Sequence, residues 1–294
     1  VTPVPAAGGG PAPGGPVRLG ARSWAAVGLL TAVGVVAFGW PLLAHELSGL
    51  AHSGDAPWLF ALLLPLLLAV VVAGVAEGGL DAKTVAMLGV LAAAGAALRP
   101  LGAGTAGLEP MFFLMVLAGR ALGPGFGFVL GAVTIFASAL LTGGVGPWMP
   151  FQMLAMAWVA MGAGLLPDGG RLRGRAELLL VAAYGAVAAL GYGLVMNLQG
   201  WPYLAGMGTG ISFVPGDPPL ENLRRFAAYA TATSLGWDVT RAALTAVGRT
   251  ARVRPVTGPV RATTARARPA SGTAGAVARA TAPTRARWRR VASV

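Results

Sequence analysis

Two groups of polar residues stand out in an otherwise apolar chain. In the first, Arg99 and Glu109 flank a Gly- and Pro-rich stretch, and Trp148 and Gln152 belong to the run Gly146-Pro147-Trp148-Met149-Pro150-Phe151-Gln152-Met153. Asn197 and Trp201 complete it, in Asn197-Leu198-Gln199-Gly200-Trp201-Pro202-Tyr203. These side chains recognise rather than react. An indole offers a flat apolar wall, an amide offers donor and acceptor together, and the Arg/Glu pair supplies charge that would be costly unpaired at membrane depth. Such a mixture suits a small-molecule pocket; an interfacial belt of Trp and Tyr is the plainer alternative. The second group is Trp237, Asp238 and Arg241. Asp238 and Arg241 are three residues apart and can pair on one helix face. Their place nearer the inner end of the last apolar run points to structure or partner docking, with Arg241 free to snorkel.

Catalytic chemistry finds little support. The chain has no cysteine and two histidines, which removes thiolate nucleophiles, zinc–thiolate sites and iron–sulfur clusters. His45 and His52, beside Glu46 and Asp55, read as solvated loop residues, so no metal is expected. Around Lys83, the sole lysine, Glu77-Gly78-Gly79-Leu80-Asp81-Ala82-Lys83-Thr84 lacks the glycine spacing of a phosphate-binding loop. Neither a Gly-x-Ser-x-Gly elbow nor a His-Glu-x-x-His pair occurs. Expected, then, is a protein that is not an enzyme and has no cofactor.

The elements that must position these residues are membrane helices. Of 294 residues, 55% are hydrophobic and only 11% charged, against roughly 25% charged in a soluble domain. Apolar runs at 24–43, 58–75, 84–98, 110–122, 126–142, 151–166, 176–196 and 226–247 predict eight spans. Several fall short of the roughly 20 residues of a straight span, which suggests broken or partly buried helices. A cleaved leader is the competing reading of 18–43. With both ends cytoplasmic, Arg18, Arg22, Lys83, Arg120, Arg171, Arg173 and Arg175 fall inside, and only Arg99, Arg224 and Arg225 outside, as the positive-inside rule asks. High Ala, Gly, Arg and Pro usage fits a GC-rich bacterial genome, so the expected location is a bacterial plasma membrane.

The net charge of +12 is concentrated at the C-terminus, where 248–294 carries eleven arginines and no acidic residue. This segment reads as a disordered tail held to anionic headgroups. With Trp288 as its one aromatic, nucleic acid is not an expected partner. The domain plan is therefore a disordered segment at 1–22, two transmembrane helices at 23–76, a membrane core at 77–247 and the basic tail.

Ala82, Ala86, Gly89, Ala93 and Ala97 recur at spacings of four, three, four and four. This lines one helix face with small residues and permits close helix approach. Together with this helix ending in Arg99, and with Trp237-Asp238-x-x-Arg241, the run at 125–167 and its Gly-Pro-Trp-x-Pro-x-Gln-Met turn resemble the substrate-specific (S) components of energy-coupling factor transporters. The likeness covers 84–247 and is closest to the group associated with cobalamin or related corrinoids. It implies a six-helix core that binds a vitamin-like micronutrient from outside, with 24–75 as two extra N-terminal helices. It also implies partners: a transmembrane T component, docked on Ala82, Ala86, Gly89 and Ala93, and two ATPase subunits that hydrolyse ATP. On this reading Arg99, Glu109, Trp148, Gln152, Asn197 and Trp201 line or gate the substrate pocket. Rival expectations are an integral membrane enzyme acting on a lipid-linked substrate and a membrane scaffold recruiting partners through its basic tail.

Overall fold

The computed structural model describes residues 20–43, 63, 64, 67, 69, 82–102, 105–167, 174–204 and 210–247. All belong to the first of two compact units, 1–252. The expected tail at 248–294, the loop with His45 and His52, and most of the expected span at 58–75 lie outside the described residues. Among the described residues there is no strand. The elements are α1 (Ala21–Phe38), a short α2 (Trp40–Leu43), α3 (Ala82–Leu101), α4 (Pro110–Leu122), α5 (Pro124–Thr142), α6 (Met149–Leu165) and α7 (Arg175–Gly200). After α7 come a 3₁₀ turn (Trp201–Leu204), α8 (Pro219–Thr233) and α9 (Leu235–Val247).

By length and composition, α1, α3, α5 and the stretch Arg175–Tyr203 can each cross a membrane, while α4 and α6 are shorter apolar helices. The protein is thus all-α, with the helices of a multi-pass membrane protein. Two expected spans are broken. The run at 24–43 is interrupted at Gly39, whose N–H caps α1 on the Val35 carbonyl. The run at 226–247 is split at Ser234 into α8 and α9. Apolar composition predicted these runs as continuous helices, whereas the breaks arise where the chain turns between packed partners.

Inside lipid, helices associate through close packing rather than water exclusion, and α5 shows how. It is buried on nearly every side, with Phe126, Phe128, Leu130 and Ile135 fully covered. A Cβ at Gly127 or Gly131 would run into the backbone of Ala160, Met156 or Ala157 on α6, and one at Gly119 of α4 would strike the Ala160 carbonyl. Gly164 lies equally close to Pro124. The α5–α6 hairpin is therefore an antiparallel seam of backbone against backbone. A second glycine gap, at Gly162, admits the Tyr184 hydroxyl, which donates to the Val159 carbonyl at 2.7 Å. Helix α1 joins this core through Gly34, over Leu154 and Trp158, with Phe38 edge-on to Phe151 at 5.1 Å. Leu63 and Leu67 are buried in the same core.

The two ends of α5 face different surroundings. At its Pro124 end, Arg120 donates to the Leu166 and Pro167 carbonyls and pairs with Glu177 at 3.2 Å, tying α4, α6 and α7 together. At its Thr142 end the helices splay around a cavity. Gly123, with φ 93°, is the single residue that turns α4 into α5, a conformation open chiefly to glycine.

Candidate functional site

The cavity at the Thr142 end has a volume of about 500 Å³. Helix α3 contributes Arg99 and Pro100 from its last turn, and α4 contributes Glu109, just before its first residue, and Met111. Ser138 and Thr142 project from α5, Gln152 from the first turn of α6, and Tyr192 and Met196 from α7. Trp237 and Arg241 of α9 close the wall. Six helices thus converge on one space.

Local sequence sets these positions. Pro110 opens α4 at its first turn, where the missing N–H costs nothing, and this fixes Glu109 at the helix entrance. The turn before it passes so close to α9 that a Cβ at Gly107, φ 95°, would meet the Trp237 carbonyl. Along its other side α9 runs antiparallel to α7: Gly193 makes room for the Asp238 carboxylate and Gly185 for Thr245. Three small-residue approaches therefore carry Arg241 to Glu109.

Arg241 is the electrostatic centre. It donates to Glu109 Oε1 at 3.1 Å and to Asp238 Oδ1 at 2.7 Å, and its side chain is 10% exposed. Its guanidinium also lies 5.2 Å from the centre of the Phe112 ring and 5.6 Å from that of Tyr192, within cation–π range. Those two rings meet edge to face at 4.9 Å. A buried guanidinium answered by two carboxylates is costly to disturb, because removing one member strands the others. Arg99 is held differently: its hydrogen-bond partner among the described residues is the neutral Gln152 Oε1, at 2.7 Å. Behind the wall, Ser138 Oγ and Arg241 Nε are buried with no hydrogen-bond partner among the described residues.

Three of the six residues expected at a pocket therefore stand on one cavity wall: Arg99, Glu109 and Gln152. The other three stand elsewhere. Trp148 is 46% exposed and folds its ring over Gly146. Asn197 lies one residue beyond Met196 and buries an unpartnered amide nitrogen. Trp201 is fully buried in a separate aromatic cluster with Trp40, Phe213 and Phe226, where its indole N–H donates to the Ile211 carbonyl at 2.8 Å. Arg99 and Glu109, grouped as a charge pair on their sequence, take different partners, Gln152 and Arg241.

Arg241 was expected near the inner end and is on the cavity wall. Counting along an unbroken run from 226 puts it toward the far end of a span, whereas the break at Ser234 starts α9 at Leu235 and brings Trp237 and Arg241 into its first two turns. Sequence reasoning also passed over Ser138, Thr142, Tyr192 and Met196. A signal existed: Ser138 and Thr142, Tyr192 and Met196, and Trp237 and Arg241 are each four apart, the spacing that stacks side chains on one helix face.

Ala82, Ala86, Gly89 and Ala93 are all exposed, and a Cβ at Gly89 would meet no described atom within 4 Å. Among the described residues no group of three His, Cys, Asp or Glu could hold a metal ion. No family model, curated protein or solved structure matches the chain.

Proposed function

We propose that the protein is the substrate-binding membrane subunit of an importer of the energy-coupling factor type. It takes a vitamin-like micronutrient into the cavity between Arg99 and Arg241 and hands it inward. ATP is hydrolysed by two partner subunits coupled through a transmembrane T component. The observation that carries this reading is the cavity itself: about 500 Å³, within the roughly 300–1,000 Å³ of small-molecule sites, with apolar walls and a few convergent polar groups. The open small-residue face of α3 supports it as a second feature, since such a face lets another helix approach closely. In this proposal α3 to α9 form the substrate-binding core, α1 and the run at 58–75 are additions to it, and the Arg99 end faces outward from a bacterial plasma membrane. The resemblance in sequence nominates a corrinoid among such nutrients. The test is purification in detergent without added ligand, then mass spectrometry of whatever small molecule is retained. A stoichiometric micronutrient is the expected result. Phospholipid alone, found again after incubation of folded protein with a vitamin panel, would transfer support to the lipid-linked enzyme or the scaffold.

A further inference from the structure

We infer that Arg99 and Gln152 form the specificity edge of this cavity, and that the molecule it takes carries an oxyanion, a carboxylate or a phosphate, that sits on them. This rests on the cavity being the small-molecule site proposed above, and deepens it by naming one group of the ligand and the residues that read it.

The two arginines of the wall are answered differently. Arg241 meets two carboxylates, Glu109 and Asp238. Arg99 belongs to none of the ion pairs among the described residues, and its partner there is the amide oxygen of Gln152, at 2.7 Å. A guanidinium donates and never accepts, so Arg99 also fixes which end of the amide faces it. With Oε1 taken by Arg99, Gln152 has its amino end, Nε2, left to offer. Arg99 comes from the last turn of α3 and Gln152 from the first turn of α6, and both line the cavity. Two helices therefore join in one edge that carries hydrogen-bond donors and a positive charge no described carboxylate neutralises.

The cavity opens to solvent, so water serves these donors while it is empty, and a ligand larger than the space can project from its mouth. Selection comes when the ligand displaces that water. An oxyanion restores the hydrogen bonds and sets charge against charge, in the two-pronged geometry that a guanidinium favours. An amine or a methyl group in the same place gives them up and loses affinity. The cluster around Arg241 holds one carboxylate in excess, but attraction in contact outweighs repulsion across solvent, since both distance and dielectric weaken the latter. Met111, Met196, Tyr192 and Trp237 line the rest of the space, thioether and aromatic surfaces that suit an apolar or ring-shaped body behind the anionic group. Cobalamin, through its phosphodiester, meets this description, as do smaller vitamin acids and phosphates.

The experiment is equilibrium binding to the full chain in detergent, using pairs that share a body and differ in the oxyanion. The pairs are cyanocobalamin against dicyanocobinamide, which lacks the phosphodiester, riboflavin 5′-phosphate against riboflavin, biotin against biotinamide, and nicotinate against nicotinamide. The expected result is saturable binding of at least one pair, with the oxyanion member roughly tenfold or more tighter. Gln152→Glu is nearly isosteric and gives Arg99 the carboxylate it lacks, so it should bring that preference down to parity or below. Arg99→Met should do the same and Arg99→Lys should keep part of the preference, an order that a purely structural role for Arg99 would not produce. Should Arg99→Met fail to fold, Gln152→Glu, which adds an ion pair, keeps the test decisive. If the member without the oxyanion binds the unaltered protein as tightly or more tightly, or the preference survives these substitutions, this inference fails while the small-molecule reading stands. If no probe binds the folded protein, both fail.

Discussion

Two stripes of small residues run through this molecule with the same helical spacing and opposite fates. In the α5–α6 seam, a Cβ on Gly127 or Gly131 would meet the backbone of the facing helix. On α3, Ala82, Ala86, Gly89 and Ala93 are exposed, and a Cβ on Gly89 would meet no described atom within 4 Å. Spacing by three and four therefore states only that a helix can be approached closely. Whether it is approached depends on what the rest of the chain places opposite. In the seam, short connections fold α6 back onto α5 and each glycine becomes a steric requirement. On α3 the fold uses the neighbouring face, Leu88, Ala92, Gly95 and Ala96, and no described atom comes within 4 Å of a Cβ on Gly89.

This contrast can be sharpened against a third region, buried around Arg241, where charge rather than backbone contact sets the cost. Arg241→Met should have the largest effect, about 3–5 kcal/mol of stability, because it strands Glu109 and Asp238 without their cation. Unfolding in mixed micelles measures it. Adding Glu109→Gln and Asp238→Asn should recover most of the loss; no recovery would show that packing, not charge, holds that wall. Gly131→Leu should follow, with a loss of about 1–3 kcal/mol or more from overpacking and broadened elution in detergent. A normally folded Gly131→Leu protein would break the comparison outright.

Smaller effects test the finer contacts. Tyr184→Phe deletes the hydroxyl that fills the Gly162 gap and should cost about 1 kcal/mol, the net value of one hydrogen bond, in the same unfolding assay. Gly89→Leu should leave stability within about 0.5 kcal/mol and ligand retention unchanged. When the chain is co-expressed with candidate T-component and ATPase partners, the same variant should lose the complex in a pull-down. Destabilised protein would mean that the α3 stripe is covered within the fold after all. Trp148→Ala should have the least consequence, below about 0.5 kcal/mol and without effect on ligand retention, since its ring lies on Gly146 outside the cavity. Weakened retention would return Trp148 to the site.

Much of the architecture is legible in the chain alone. Low charge and long apolar runs dictate an all-α membrane protein, because in lipid a helix satisfies its own backbone. The span expected at 110–122 coincides with α4, and those at 84–98, 126–142 and 151–166 agree with α3, α5 and α6 to within a few residues. Arg99, Glu109 and Gln152 could be singled out because polar side chains are rare in such a background. Tertiary structure decided the rest. It separated Trp201 from Arg99 by drawing the indole into an aromatic cluster, and it gave Glu109 to Arg241 rather than to its neighbour in sequence. It also broke the last apolar run at Ser234, which brings Arg241 to the cavity. Local composition specifies which segments enter the membrane. Which of their faces meet, and which charges pair, depends on contacts between residues as distant as Glu109 and Arg241, and no short stretch of sequence contains them.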